Sequence, residues 1–504
     1  MTESNRSIPA RTATNFDVLV IGAGPAGAMA ALRAADLGAR TALVTSAQFG
    51  GMAAHDGPVP VRTLARAARL ISEARRLKEY GIEVGNPALD YQRLLARVRE
   101  VVDDVVAHSS SREQLEMLGV SVIEHAGTVR FNDPHTVVTS AGLRLRADKI
   151  ILCVGGVTRQ LPVPGFELTS DHTSVFGATS APDSMLVVGG GSTAVQIASI
   201  FCAFGSRVQV FEAGPRILAN EDDDVSAAIA AAFRKVGVVV SQDFGAIVSF
   251  EKTPTGVRMN FAKGGKQSSA EAAIAVAAIG RAADTRGLNL SSAGVLLDGR
   301  GFVKVDDYLR TSTPHILAAG DVTGRLMVVP SAIRDGFVAA TNALRGAGER
   351  ASERIDVSAS FTHPEYARAG LTEVEARREH DVLTSTVRFD STMRTIIDGR
   401  KDGFCKLVVD RRTAKILGCH CVGELAGELA QTAAVAISAG MRVDELVRVQ
   451  MAFPTYVGNL AYAAADAARQ LELGVGNQHI GTRGDLYENL RQWDDRRKIV
   501  EVAV

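Results

Sequence analysis

The sequence predicts an α/β fold in which one strand, turn and helix unit occurs twice. The first unit has an apolar run at residues 16–21, a glycine-rich turn and an alanine-rich helical stretch at 26–37. The second has an apolar run at 185–188, a glycine-rich turn and a helical stretch at 195–204. Short apolar runs that give way to helical periodicity are typical of parallel strands covered by helices.

Both turns carry a glycine fingerprint for a bound pyrophosphate. The fingerprint positions are Gly22, Gly24 and Gly27 in the first turn and Gly189, Gly191 and Ala194 in the second. Glycine lets backbone amides approach the pyrophosphate, and the helix N-terminus adds partial positive charge. Two fingerprints in the correct context predict two dinucleotide-binding, Rossmann-like domains in one chain.

The residue after the next strand distinguishes the two units. A carboxylate about 20 residues beyond the fingerprint typically accepts a hydrogen bond from the ribose 2′-hydroxyl. In the second unit the strand 207–211 leads to Glu212, which would repel a 2′-phosphate and so favours NADH over NADPH. In the first unit the strand 41–44 leads to Thr45, a weaker neutral partner. Arg216, just beyond Glu212, leaves NADPH use open.

A third segment concerns the nucleotide of the first unit. Residues 311–319 predict a strand that runs into a turn at Gly320 and Asp321. Together with the first fingerprint, this segment resembles the FAD-binding signature of flavoproteins with two dinucleotide-binding domains. In that family the aspartate bonds the ribityl chain, and the loops containing Gly155 and Gly280 resemble the connections between its nested domains. The resemblance implies FAD as one cofactor and NAD(P)H as the other.

The C-terminal third narrows the resemblance. Residues 361–373, 403–406 and 416–424 are similar to the dimerisation domain of the pyridine nucleotide-disulfide oxidoreductases. The resemblance implies an α+β dimerisation domain and a homodimer whose partner completes each active site. The implied order is a disordered tail at 1–15, an FAD-binding domain at 16–155 and 283–352, an NAD(P)H-binding domain at 156–282, a dimerisation domain at 353–473 and a helical tail at 474–504.

The chain departs from this family at the redox-active dithiol. Relatives with thiol chemistry carry two cysteines after a Gly-Gly pair, whereas here Gly51 is followed by Ala53 and Pro58 at the cysteine positions. A dithiol relay needs one thiolate to exchange with substrate and a second to donate to the flavin. Phe453 stands in place of the family's acid-base histidine, and Gly458 in place of its glutamate. These four changes imply that the protein is not a functional disulfide reductase.

Four residues are candidates for the altered reaction. Arg62 stands where relatives carry a lysine beside the flavin, and Gln196 where its glutamate partner is expected. Arg62 keeps a permanent positive charge, which would stabilise negative charge on the flavin. His55 has two interpretations, a proton donor to a quinone oxygen or a polar surface residue. Phe453 would line an apolar slot in the partner's active site, where a flat acceptor stacks.

The sequence therefore predicts an FAD oxidoreductase that passes hydride from NADH to FAD and then directly to a small acceptor, in first place a quinone. The alternatives are a substrate-specific flavin dehydrogenase that uses NAD, a non-catalytic NADH-binding redox sensor, and an electron-transfer subunit. Basic and acidic residues balance at 56 each, so no global field recruits nucleic acid or anionic lipid.

The five cysteines show no paired spacing, which fits a reducing cytosol and predicts a cytoplasmic protein. Cys419 and Cys421 would point to one face of a strand, with His420 opposite. A single C-x-C lacks the further ligands of a zinc site, so no metal site is expected.

The remaining segments bear on targeting and partners. Residues 1–15 lack the apolar core of a signal peptide. The uncharged stretch 185–205 contains a triple glycine between strand and helix patterns, so a βα unit is expected there and not a membrane span. The amphipathic segment 485–500 would pack on its own domain or bind a protein partner.

Overall fold

The structure is a computed structural model that describes residues 14–108, 111–351 and 355–474. Its strands are β1 (Thr14–Ile21), β2 (Thr41–Val44), β3 (Ser121–Ile123), β4 (Val129–Asp133), β5 (Thr136–Thr139), β6 (Arg144–Leu152), β7 (Gly156–Thr158), β8 (Ser184–Val188), β9 (Arg207–Glu212), β10 (Val239–Gln242), β11 (Ala246–Thr253), β12 (Gly256–Lys263), β13 (Lys266–Ala272), β14 (Ile274–Ala277), β15 (Arg281–Ala283), β16 (Ile316–Ala318), β17 (Val357–Ser360), β18 (Tyr366–Gly370), β19 (Val382–Arg388), β20 (Phe404–Asp410) and β21 (Ile416–Val422). Its helices are α1 (Pro25–Asp36), α2 (Gly51–His55), α3 (Pro58–Arg76), α4 (Tyr91–His108), α5 (Ser111–Met117), α6 (Ser192–Phe204), α7 (Asp223–Lys235), α8 (Val329–Arg345), α9 (Glu373–Ala376), α10 (Met393–Ile397), α11 (Ala426–Ser438), α12 (Val443–Arg448) and α13 (Gly458–Gln470). The predicted tail helix at 485–500 lies outside the described residues, as does most of the predicted N-terminal tail.

The described chain divides into two compact units. The first comprises residues 14–64, 90–160 and 280–351, and the second comprises 65–89, 161–279 and 355–474. Helix α3 contributes residues to both units.

The first unit is built on a parallel sheet. Its strands run in the order β3, β2, β1, β6, with parallel neighbours, and β6 also pairs with β16 in parallel and with β5 in antiparallel fashion. Alternate residues of β1 enter different apolar clusters, Leu19 and Ile21 in one and Val18 and Val20 in the other. Both faces of this strand are therefore buried, which explains its continuous apolar run.

Small residues bring α1 close to α8 in the same unit. Ala26, Ala30 and Ala34 are buried on α1. A Cβ added at Gly336 of α8 would lie 2.2 Å from the Ala26 carbonyl oxygen, so the two backbones nearly touch. The alanine-rich stretch of the sequence is thus a packing surface within the unit.

The second unit holds three sheets. A four-stranded parallel sheet has the order β10, β9, β8, β14, and strands β11, β12 and β13 form an antiparallel meander. The C-terminal sheet is antiparallel, in the order β17, β18, β21, β20, β19. Residues of α11 and α13 share an apolar core with this sheet.

One predicted element is shorter than expected. Of residues 311–319, only Ile316–Ala318 forms a strand. The Thr311 hydroxyl lies within hydrogen-bonding distance of the carbonyl oxygens of Ile316 (2.8 Å) and Thr313 (3.1 Å), and the Ile316 amide donates to the Thr313 carbonyl (2.8 Å). These bonds close a turn around Pro314, which has no amide to offer to a strand.

The apolar stretch 185–205 forms β8, a glycine turn and α6, as expected. Among the described residues, every helix is too short or too polar to cross a membrane.

Candidate functional site

The first glycine fingerprint lies between the end of β1 and the start of α1. Gly22 has a φ of 108°, and its amide donates to the Val44 carbonyl at 2.8 Å. A Cβ at Gly27 would lie 1.8 Å from the Gly22 carbonyl oxygen. Only glycine therefore fits at residue 27, because the first turn of α1 rests directly on the preceding loop. Gly24 is the N-cap of α1 and has open space around its Cβ position.

The segment at residues 48–55 approaches this turn. The Gly50 amide donates to the Ala23 carbonyl at 3.0 Å. A Cβ at Gly51 would lie 2.8 Å from the Cα of Gly24, so this close approach also requires glycine. The structure thus places Gly51 against the first fingerprint, where a residue must lie to contact a dinucleotide bound at this turn.

His55 ends the short helix α2 and holds this segment together. Its Nε2 lies 2.9 Å from the Phe49 carbonyl oxygen, and its Nδ1 lies 3.0 Å from Nε2 of Gln48. Because a carbonyl oxygen only accepts, Nε2 carries the proton and Nδ1 accepts from the Gln48 amide. Proton donation by His55 to another molecule would require one of these bonds to break.

The sequence reasoning did not single out Arg281 as a site residue. Its guanidinium contacts the Met52 sulfur (2.7 Å) and the Gly156 carbonyl, and its Nε lies 3.4 Å from a carboxylate oxygen of Asp321. Burial lowers the pKa of Arg281 and raises that of Asp321, and their mutual attraction partly opposes both shifts. The one hint in the sequence was that Arg281 directly follows Gly280. Its contacts could not be predicted, because they come from three separate segments.

The other predicted residues of the first unit lie at strand ends and loops. Thr45 is buried at the end of β2, and its amide donates to the Ile123 carbonyl at 2.9 Å. The Gly155 carbonyl accepts from Asp284, and the Gly280 carbonyl accepts from Arg159. These last contacts flank the two-stranded ribbon of β7 and β15.

These residues fit a dinucleotide with a polyol chain. The fingerprint provides a glycine cradle at a helix N-terminus, where backbone amides lack partners within the helix. The Nε of Arg281 is buried without a hydrogen bond and lies 3.4 Å from a carboxylate oxygen of Asp321. A bound group with hydroxyls would satisfy such a buried pair, as the ribityl chain of FAD does by its chemistry.

The second fingerprint repeats this arrangement with a carboxylate added. Gly191 is the N-cap of α6 and Ala194 is fully buried on it. Glu212, the last residue of β9, accepts from the Gly190 and Gly214 amides, both at 2.6 Å. A Cβ at Gly190 would lie 2.8 Å from one Glu212 oxygen, so glycine is required there. The site fits the ribose of a second dinucleotide, because a carboxylate fixed in this way only accepts hydrogen bonds.

Arg216 is already engaged within the second unit. Its guanidinium donates to the carbonyls of Leu218 (3.0 Å), Ala219 (2.9 Å) and Glu221 (3.0 Å). It also forms an ion pair with Asp223 at 2.9 Å. These contacts engage both terminal nitrogens of the guanidinium within the second unit.

The remaining predicted catalytic residues lie on three elements. Gln196, on α6, donates to the carbonyl and hydroxyl of Ser192, both at 3.3 Å. Arg62 lies on an exposed face of α3. Phe453, in the segment between α12 and α13, is 59% exposed.

The sequence profile described as "Pyridine nucleotide-disulphide oxidoreductase" matches residues 16–336. The chain belongs to this family. The profile of the dimerisation domain of the pyridine nucleotide-disulphide oxidoreductases matches residues 357–464, which predicts a homodimer. Members of the family contain FAD and use NAD(P)H, and these are the cofactors of this flavoprotein.

Relatives in the family are similar over nearly their whole length. Dihydrolipoyl dehydrogenase of Zymomonas mobilis is 32% identical over 453 residues, covering 88% of this chain and 96% of that protein. Dihydrolipoyl dehydrogenase of Thermus scotoductus is 32% identical over 469 residues, covering 90% and 98%. Among solved structures, the HOCl-induced flavoprotein disulfide reductase RclA from Escherichia coli is similar with a TM-score of 0.78 and 26% identity, covering 89% of this chain and 99% of that chain.

Proposed function

We propose that this protein takes hydride from NADH and reduces a small acceptor, a quinone, directly and without a dithiol relay. FAD, when bound, supplies the hydride-transfer chemistry. The observation that carries the proposal is the composition of the segment packed on the first fingerprint. Ala53 lies on α2 and Pro58 begins α3, so neither position of the family's dithiol carries sulfur.

Two groups of residues are assigned to the cofactors. The FAD residues are Gly22, Gly24, Gly27, Thr45, Gly51, Gly155, Gly280 and Asp321. The NADH residues are Gly189, Gly191, Ala194 and Glu212. The fixed carboxylate of Glu212 and the engagement of Arg216 by backbone carbonyls support NADH over NADPH.

The chain's other cysteines do not replace the missing pair. Cys153 is buried beneath the first fingerprint, and burial raises the pKa of its thiol, so it does not form a thiolate there. Cys202 is half-buried on α6, its pKa is also raised by burial, and its sulfur lies 3.7 Å from the Val236 carbonyl. The other three cysteines are buried within the C-terminal sheet.

Four side chains are assigned to the acceptor reaction. Arg62 provides a permanent positive charge. Gln196 is a neutral amide at the position where the family has the glutamate that pairs with the lysine. Phe453 offers an apolar surface to the partner's site, and a quinone ring stacks favourably on such a face. His55, whose two ring nitrogens contact Gln48 and Phe49, orients the loop at 48–55 and is the candidate proton donor to a quinone oxygen.

The test is anaerobic stopped-flow mixing of the purified flavoprotein with NADH or NADPH, followed by quinones, disulfides or oxygen. We expect rapid bleaching by NADH and rapid reoxidation by quinones. Because relatives are named disulfide reductase and dihydrolipoyl dehydrogenase, turnover of disulfides is the competing result, and it would overturn the proposal. Flavin bleaching by a metabolite without NADH would instead indicate a substrate-specific dehydrogenase.

Two controls sharpen this test. Alkylation with N-ethylmaleimide should leave quinone turnover unchanged, because no thiol takes part. The variant Phe453→Ala should raise KM for quinones with little change in flavin reduction by NADH. The matched variant Phe453→Leu keeps apolar area. Its KM for quinones should therefore lie between those of the unmutated protein and Phe453→Ala.

A further inference from the structure

Three of the five cysteines meet inside the C-terminal sheet. Cys405 lies on β20 and is paired in register with Cys421 on β21, and Cys419 lies two residues before Cys421. Alternate residues of a strand share a face, so the three side chains point the same way. The sequence showed only the C-x-C of β21, and strand pairing supplies the third thiol.

The three sulfur atoms are close enough to share one central atom. All of them lie within 4.8 Å of one another, and those of Cys419 and Cys421 are 3.6 Å apart. A metal–sulfur bond of about 2.3 Å places two sulfur ligands of one ion no more than about 4.6 Å apart. Small side-chain adjustments therefore suffice for three bonds to a single atom.

The cluster is closed to water and to a fourth ligand. Each of the three cysteines has no exposed surface, and they pack in an apolar core with residues of α11 and α13. His420 points to the opposite face, where its Nε2 lies 3.0 Å from the Leu371 carbonyl oxygen. In the part of the chain that the structure describes, the ligand group consists of the three sulfurs alone. Structural zinc, which is almost always four-coordinate, does not match this set.

Charge selects the kind of ion. Burying net charge without a partner is very costly, so a complex in this core must be close to neutral. Three thiolates around a monovalent or divalent ion keep a net negative charge, whereas a trivalent ion cancels all three. Thiolates prefer soft, thiophilic centres.

We propose that Cys405, Cys419 and Cys421 form a binding site for a trivalent thiophilic species, arsenite. Three thiols condense with one As(OH)₃: three As–O bonds break, three As–S bonds form, and each thiol proton leaves with a hydroxide as water. The product is a neutral arsenic trithiolate with three waters released, and no oxidant or reductant takes part.

The thiols interact before any ligand arrives. The Sγ atoms of Cys419 and Cys421 lie 3.6 Å apart, within the range of a thiol–thiol hydrogen bond. Because the cluster is fully buried, entry requires local opening of the sheet, and binding is expected to be slow.

The test uses the holoenzyme in two arms: anaerobic incubation with sodium arsenite over hours, and expression of the protein in arsenite-containing medium. After desalting, we expect about one arsenic atom per chain by mass spectrometry and about three sulfur neighbours by X-ray absorption. Cys419→Ser and Cys405→Ser should each reduce arsenic retention by about tenfold or more, because one bond is lost. Cys202→Ser, which removes a thiol outside the cluster, should retain arsenic fully.

Three results would overturn the proposal. They are absence of arsenic in both arms, equal retention in Cys405→Ser, and fewer than three sulfur neighbours in the unmutated protein. If a serine variant does not fold, the absorption measurement on the unmutated holoenzyme decides alone. Quinone turnover is measured separately, so failure here is independent of the proposed catalytic function.

Discussion

The two dinucleotide-binding units share one local design and differ in the side chains around it. Each has a parallel strand, a glycine turn and a helix capped by glycine. In the first unit, Thr45 directly follows the next strand, β2, and the carboxylate, Asp321, comes from a distant turn. The second ends its strand with Glu212, which the fingerprint backbone itself holds. In the proposed assignment, the turn binds the pyrophosphate of either dinucleotide, and the neighbouring side chains select which dinucleotide binds.

The packing of the two helices differs as well. In the first unit a Cβ at Gly27 would overlap the Gly22 carbonyl, whereas the second unit carries Ala194 at the matching position, fully buried. The first helix therefore lies closer to its turn than the second. Substitutions at these positions should separate the two sites.

The largest effect is expected for Gly27→Ala. The added methyl would lie 1.8 Å from the Gly22 carbonyl oxygen, so the turn must move and the FAD cradle with it. Overpacking typically costs about 1–3 kcal/mol, and a backbone contact exceeds that range. We expect purified protein without bound FAD and with a clearly lower Tm, measured by flavin absorbance and thermal unfolding.

The matched substitution is Ala194→Gly in the second unit. It removes a methyl and should cost only about 1 kcal/mol of helix stability, with FAD retained. Full FAD occupancy in Gly27→Ala would show that the two turns are equivalent after all.

The next effect concerns nucleotide choice. Glu212→Gln keeps the shape but leaves one of the two backbone amides facing an NH₂ group. Hydrogen bonds to charged groups contribute about 1.5–3 kcal/mol, so kcat/KM for NADH should fall roughly 10- to 100-fold. The kcat/KM for NADPH should change less, so the preference for NADH over NADPH should become smaller. Stopped-flow reduction with both nucleotides checks this, and an unchanged ratio would remove Glu212 from nucleotide selection.

A smaller effect is expected for Asp321→Asn. The amide keeps the volume but loses the charge that lies 3.4 Å from Arg281. FAD affinity should weaken by about tenfold, because a charge-assisted contact becomes a neutral one. Reconstitution of the apoprotein with FAD gives the Kd. Weaker NADH binding with unchanged FAD affinity would contradict the assignment.

The smallest effect is expected for Thr45→Val. Valine keeps the strand shape and the backbone bond to Ile123 and removes only a hydroxyl. A neutral hydrogen bond contributes about 0.5–1.5 kcal/mol, so FAD affinity should fall less than about tenfold. Reconstitution of the Thr45→Val apoprotein with FAD gives the Kd. A loss of FAD affinity as large as that of Asp321→Asn would mean that the ribose contact is strong in both units.

Local patterns predicted the elements that carry these sites. The strands 41–44 and 207–212 and the helix after each fingerprint follow from short-range alternation of apolar, glycine and helix-forming residues. The position of Glu212 followed as well, because a strand end is a local feature. The strand predicted at 311–319 was too long, because the hydroxyl bonds of Thr311 close a turn around Pro314 and the strand begins only at Ile316.

Long-range contacts were beyond such reasoning. Arg281 contacts Met52, Gly156 and Asp321, which come from three segments far apart in sequence. His55 was a candidate proton donor, and only the folded loop shows both its nitrogens in use.

The sequence by itself determined the two nucleotide folds, their order and the absence of cysteine from residues 45–62. These are properties of residue type and short spacing. Only the tertiary structure decided which distant groups share a site, as with Asp321 and Arg281, or Cys405 and the pair on β21. Strand register and sheet order determine which of these residues come into contact. Register and order depend on packing of the whole unit and not on any local pattern.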